Sequence, residues 1–105
     1  MLLLDDQAEL SAQPDEVETA LGAQLGEQGL SAIDDTLKEH TQRRWLKVAR
    51  VVLDTLKASG ASVSNETCIA LYVRRVIALV DAGVLEAQGN LRRPRWSEVR
   101  LPGEH

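Results

Sequence analysis

The sequence predicts a mainly α-helical domain with a C-terminal β-hairpin, arranged as a winged helix, and three observations in its second half support this prediction. Apolar residues recur at helical spacing over residues 68–82. Gly83 follows, and glycine commonly ends a helix in the left-handed conformation. Two strand-like segments, residues 84–87 and 96–101, then flank a loop rich in turn-forming residues. A helix that passes directly into a hairpin is typical of the winged-helix fold.

The composition predicts one soluble domain. A chain of 105 residues is long enough to bury one hydrophobic core. Its residues are 44% hydrophobic but only 3% aromatic, so leucine and valine must form most of that core. The single cysteine, Cys68, excludes an internal disulfide and fits a reducing compartment. No apolar run approaches the roughly 18 residues of a membrane span, and no basic flank marks a signal peptide. We therefore expect a cytoplasmic protein that binds no membrane.

Charge divides the chain into two parts. Residues 1–40 hold ten acids and one base for a net charge of −9, whereas residues 41–101 hold eleven bases and five acids for +6. Three explanations of this division are possible. The basic part binds a polyanion, the acidic part covers the basic part within the same molecule, or both parts form ordinary solvated surfaces. The sequence leaves these three explanations open.

We expect two regions, an acidic and partly helical N-terminal segment over residues 1–28 and a winged-helix-like domain over residues 29–105. Gly26 and Gly29 interrupt the helical pattern between them and predict a soft boundary.

Two short helices are predicted around this boundary. Residues 1–13 have no sustained period and predict a frayed or loosely docked leader. Pro14 suits the start of a first helix that reaches about Leu25. A second helix over residues 31–40 ends at His40, where the helix dipole favours a capping role over a ligand role.

The next predicted helix covers residues 41–58 and has a broad apolar arc centred on Trp45. The remaining strip carries charged residues at helical spacing, namely Arg43, Lys47, Arg50, Asp54 and Lys57. A solvated strip, with Arg50 and Asp54 paired at i, i+4, is favoured over a surface that follows phosphate groups.

Residues 59–65 are predicted to form a turn, in which Ser64 or Asn65 provides the N-cap of the following helix. A short helix within residues 61–68, which winged helices ordinarily have, stays an open alternative.

In a DNA-reading winged helix, the outward face of the helix over residues 68–82 would enter the major groove. That face is predicted to present Leu71, Arg74, Arg75, Ala78, Asp81 and Ala82. The two arginines suit phosphate or guanine, but no Asn, Gln, Ser or Thr accompanies them to hydrogen-bond bases. An apolar ridge flanked by arginines fits a protein surface at least as well, so sequence-specific readout is disfavoured.

The hairpin loop is the second candidate contact region. Arg92, Arg93 and Arg95 concentrate at its tip beside Trp96, a combination that suits a minor groove or a single strand. Strand alternation places Trp96 out of phase with the core-facing Val99. Either a bulge turns Trp96 inward, the favoured alternative, or the ring is exposed and marks a contact site.

The segments RWLKVARVV, RRVIALVDAGVLEAQGNL and SEVRLP resemble a bacterial domain family of unknown function, which occurs mainly as the C-terminal part of longer uncharacterised proteins. The resemblance covers roughly residues 30–102. It implies a helical, winged-helix-like fold and brings no activity or site residues. The chain departs from the family because its acidic first 28 residues stand where the longer proteins have another domain.

An enzyme is not predicted. The two histidines lie at a predicted helix end and at the chain end, and no motif for a nucleophile, a phosphate-binding loop, a metal or a cofactor is present. Cys68 is better explained as a small buried residue than as a nucleophile, because its neighbours are apolar. No small-molecule substrate is evident.

Two functional hypotheses remain, and the sequence slightly favours the first. The first is a nucleic-acid-binding module of low sequence selectivity, restrained by the acidic segment, with candidate residues Arg74, Arg75, Arg92, Arg93, Arg95 and Trp96. The second is a protein-interaction domain, in one version a homodimer, with candidate interface residues Leu71, Ala78 and Ala82.

Overall fold

A computed structural model describes residues 8–103, which form three α-helices and a three-stranded antiparallel sheet. The helices are α1 (Glu16–Glu39), α2 (Val48–Ala58) and α3 (Glu66–Asp81); the strands are β1 (Leu46–Lys47), β2 (Glu86–Gly89) and β3 (Ser97–Arg100). In the sheet β3 lies between β1 and β2. The prediction of a mainly α-helical domain with a C-terminal hairpin is confirmed, and the same domain gains a third strand.

Helix α1 consists of two helical segments that meet at a sharp kink, as the predicted interruption at Gly26 implies. Asp15 caps its start by accepting a hydrogen bond from the Glu18 backbone N–H at 2.8 Å. The predicted interruption at Gly26 is a kink with φ of 66°, a left-handed conformation that suits glycine. The helix continues through Gly29 and therefore crosses the expected boundary at residue 28. At its end His40 is the C-cap, as predicted, with its ring Nδ1 2.9 Å from the Thr36 carbonyl oxygen.

The predicted helix over residues 41–58 is wrong in its first part. Residues Leu46–Lys47 form strand β1, and α2 begins only at Val48. Leu46 pairs with Val99 of β3, and both side chains are buried. The pairing partner comes from the other end of the chain, so local helical spacing did not indicate a strand here.

Helix α3 begins and ends close to where the sequence predicts. Asn65 is its N-cap and accepts a hydrogen bond from the Cys68 backbone N–H at 3.1 Å. Gly83 follows the C-cap with φ of 77°, as expected for a glycine that ends a helix. Residues 59–65 contain no helix, so α2 and α3 are joined by a turn.

The hairpin is confirmed, but its first strand starts two residues later than predicted. The backbone N–H groups of Val84 and Leu85 both donate to the Leu79 carbonyl oxygen, so these residues form the turn that follows α3. Across the hairpin Ala87 pairs with Val99, and Gly89 pairs with Ser97.

The N-terminal stretch is firmly docked where the structure describes it. Ala8 and Leu10 are buried, Leu10 to 3% exposure, within the cluster formed by the three helices and the sheet. The Leu10 backbone N–H donates to the Arg92 carbonyl oxygen at 2.6 Å. The expectation of a loosely docked leader is therefore wrong for residues 8–13, and residues 1–7 lie outside the described part.

No helix between residues 8 and 103 has the length and apolar character required to cross a bilayer.

Docking of the N-terminal stretch gives a stability prediction. Leu10→Ala removes a buried side chain and is expected to lower the free energy of unfolding by about 2–4 kcal/mol. The same substitution at Leu25, which is exposed on α1, is expected to cost less than about 1 kcal/mol. Urea denaturation of both variants measures this. Equal losses would contradict the packing of Leu10 into the core.

Candidate interaction surface

The first arginine of α3 is held by the N-terminal region. Arg74 Nε donates to the Glu18 carboxylate of α1, and both side chains are largely buried. Its terminal nitrogens donate to the Ser11 carbonyl oxygen at 3.0 Å and to the Ser11 hydroxyl at 3.1 Å. Three groups from residues before α3 therefore accept hydrogen bonds from this guanidinium.

The second arginine of α3 forms a two-point contact with α1. Arg75 donates from Nε and from its terminal nitrogen to the two oxygens of Asp34, at 2.9 and 2.8 Å. The hydrogen bond to Asp34 raises the pKa of Arg75, with the negative charge of Asp34 adding to the rise and burial opposing it. Because arginine is already protonated at ordinary pH, Arg75 keeps its positive charge throughout the neutral range.

The arginine at the hairpin loop is joined to the same N-terminal region. Arg92 Nε donates to the Leu10 carbonyl oxygen at 2.8 Å, and its terminal nitrogen lies 3.3 Å from a Glu9 carboxylate oxygen. Leu10 and Arg92 also share the backbone hydrogen bond described above. The hairpin and the N-terminal stretch are therefore tied together.

For three arginines, these contacts show which explanation of the divided charge applies. Each of Arg74, Arg75 and Arg92 is paired with a carboxylate from residues 1–40. The acidic part thus covers basic residues within the same molecule. The three arginines do not project together from one free surface, contrary to expectation.

The candidate protein-interface residues of α3 are not on one exposed ridge. Leu71 is buried, so its predicted outward placement is wrong. The cause is the packing of α1 against this side of α3, where Gly22 lies near the Leu71 side chain. Ala78 is half-buried in a groove that it shares with Ile77 and Leu91, and Ala82 is exposed after the last turn of α3.

Trp96 is 54% exposed, and the favoured prediction that it turns inward is wrong. A single 3-10 turn, Pro94–Trp96, precedes β3. Pro94 is the residue of this turn that is fully buried, while Ser97 begins the core-facing side of β3. Pro94 and Ser97 therefore occupy the buried positions at this end of β3, and the Trp96 side chain between them is exposed to solvent.

The outer side of the sheet carries both tryptophans of the chain. We call the outward residues Trp45, Lys47, Trp96, Glu98 and Arg100 the sheet face. Lys47 Nζ lies 5.8 Å from the centre of the Trp96 ring, and Arg100 Cζ lies 4.3 Å from the centre of the Trp45 ring. Both contacts have cation–π geometry.

Sequence reasoning missed Trp45, Lys47 and Arg100 as members of one surface. The missing signal was β1, because once residues 45–47 are extended, strand alternation places Trp45 and Lys47 on the same side. Arg100 of this surface also pairs with Glu86 at 2.8 Å.

Further basic residues come from the segments next to the sheet face. Arg44 is exposed just before β1 and donates to Gln42 at 2.9 Å. Arg95 is exposed in the turn before β3, and Arg93 is half-buried. Arg50 begins the exposed side of α2 and pairs with Asp54 at 3.7 Å, which confirms the predicted i, i+4 pair.

Within the described residues, no group of three or more His, Cys, Asp and Glu side chains is arranged to hold a metal ion. No protein-family model, curated protein or solved structure matches the chain. The resemblance noted from the sequence therefore stays a prediction.

The pairing of α3 with α1 gives a second stability prediction, which compares neighbouring carboxylates. The Asp34 side chain is 17% exposed and binds Arg75, whereas Asp35 is 66% exposed and lies near Lys38. Asp34→Asn is expected to cost about 1–3 kcal/mol, because it leaves a partly buried guanidinium without its charge partner. Asp35→Asn is expected to cost less than about 0.5 kcal/mol. Thermal and urea unfolding check this; a cost for Asp35→Asn as large as that for Asp34→Asn would contradict it.

Proposed function

We propose that the chain is a winged-helix module that binds nucleic acid with low sequence selectivity, and that it does so through the sheet face and hairpin loop rather than through α3. The order helix, strand, helix, helix, strand, strand, with the first strand beside the last, supports the winged-helix assignment. The module is non-enzymatic and cytoplasmic in this proposal.

The observation that most directly supports this proposal is the exposed Trp96 ring, which lies among basic residues. Lys47 lies against the ring, and Arg44 and Arg95 are exposed on adjoining segments. Among residues 8–103, neither Lys47 nor Arg44 takes part in an ion pair, so both charges are available to phosphate groups.

The internal ion pairs of α3 support the same choice of surface. Phosphate binding by Arg74 or Arg75 would first require separation from Glu18 or Asp34, which costs the stabilisation of partly buried charge pairs. Lys47 on the sheet face requires no such step, because it takes part in no ion pair among residues 8–103.

A charge-removal experiment tests this proposal. Wild-type protein is expected to bind a labelled nucleic acid of random sequence at low salt, followed by fluorescence anisotropy. Lys47→Ala is expected to weaken binding and to reduce the slope of log K against log salt by about 1. Lys57→Ala removes the same charge from an exposed position in the last turn of α2, outside the sheet face, and is expected to leave the slope unchanged. Absence of binding, or equal effects of the two variants, would overturn the proposal.

A second candidate function, a self-associating protein-interaction module, is favoured by the groove between α3 and the hairpin. Its apolar lining includes Ile77, Ala78 and Leu91, with Pro14 on the N-terminal side. Half-buried apolar side chains in an open groove suit the apolar anchor of a partner.

Sedimentation at increasing concentration tests the second candidate. Wild-type protein is expected to dimerise, and Ala78→Asp is expected to abolish dimerisation because it places a charge in the apolar groove. Ala23→Asp, on an exposed part of α1, is the matched control and is expected to leave the dimer intact. A wild-type protein that stays monomeric throughout would exclude self-association.

A further inference from the structure

We infer that the sheet face takes single-stranded rather than duplex nucleic acid, with Trp96 as the platform on which one unpaired base stacks. This inference rests on the proposed function and deepens it. Its starting point is the 54% exposure of the Trp96 side chain, in a domain whose core is almost entirely aliphatic.

The backbone around Trp96 is fixed while its ring is outside. The Trp96 backbone N–H donates to the Arg93 carbonyl oxygen at 2.9 Å, and the Ser97 hydroxyl donates to the same oxygen at 3.0 Å. Pro94 and Ser97, on either side, are both buried. Because this backbone is already fixed, base stacking needs to order only the side-chain torsions of Trp96.

The charge next to the ring matches the other half of a nucleotide. Lys47 is exposed, its ammonium lies 5.8 Å from the ring centre, and it has no acidic partner in the described chain. A base on Trp96 would therefore place its phosphate near a cation. Stacking next to a cation is how proteins bind single strands without reading sequence.

Trp45 is not a second platform of the same kind. The Arg100 guanidinium covers its ring at 4.3 Å and is itself held by Glu86 at 2.8 Å. Trp45 is also only half-exposed. Trp96, at 54% exposure, is therefore the ring of this surface that suits the stacking of one base.

A duplex would use this surface poorly. Bases in a duplex are stacked on each other, so their faces are closed to Trp96, and only the cations would contribute. The usual duplex-binding element of a winged helix is the second helix of its helix-turn-helix, here α3, whose arginines are engaged by Glu18 and Asp34. The exposed aromatic ring thus favours unpaired bases.

Three labelled probes of about 15 nucleotides separate the contribution of base stacking to the affinity from the contribution of phosphate charge. They are oligo-dT, a mixed-sequence duplex, and an oligonucleotide of abasic sites with the same phosphate backbone. The variants are Trp96→Ala, Trp96→Phe and, as a matched control, Val17→Ala, which shortens another exposed apolar side chain. Circular dichroism confirms that each variant is folded before its affinities are compared by anisotropy.

Oligo-dT is expected to bind wild-type protein at least about fivefold more tightly than the abasic probe, the lower end of the stacking contribution of one base. Trp96→Ala is expected to remove this difference without weakening abasic binding, Trp96→Phe to keep part of it, and Val17→Ala to keep all of it. Binding of the duplex as tight as that of oligo-dT, or an unchanged preference in Trp96→Ala, would overturn the inference and leave the proposed function standing. Failure to bind any probe would overturn both.

Discussion

The structure depends on the pairing of arginines in its second half with carboxylates in its first half. Arg74 and Arg75 are neighbours on α3, and each contacts a different turn of α1, through Glu18 and Asp34. The kink of α1 at Gly26 lies between those two turns. Buried apolar residues supply most of the folding energy, while the charge pairs specify how α1 lies on α3.

This pairing determines which surfaces remain for binding. Arg74 and Arg75 of α3 contact α1, so these basic residues belong to the fold. What remains exposed is the outer side of a small sheet, where aromatic rings and cations occur together. A negative overall charge is compatible with such a surface, because many of the acidic residues form ion pairs within the molecule or lie along α1.

The sequence was sufficient for elements that are specified locally. The end of α3 at Gly83, the N-cap Asn65, the C-cap His40 and the alternation along β3 all follow from neighbouring residues. Strand β1 was missed because its partner β3 lies about fifty residues away, and apolar spacing favoured a helix. The exposure of Trp96 was missed for a similar reason, since a turn rather than a bulge precedes β3. Sites assembled by distant pairing, such as the sheet face, are the part that local patterns could not predict.

The shortness of β1 has a consequence for how copies of the molecule meet. Lys47 ends this edge strand and is also the residue immediately before the first turn of α2. The backbone therefore turns into a helix before it can present a continuous row of free amide and carbonyl groups. An incoming strand finds no template along this side of the sheet, which disfavours strand pairing between molecules at β1 while the sheet face stays exposed to solvent.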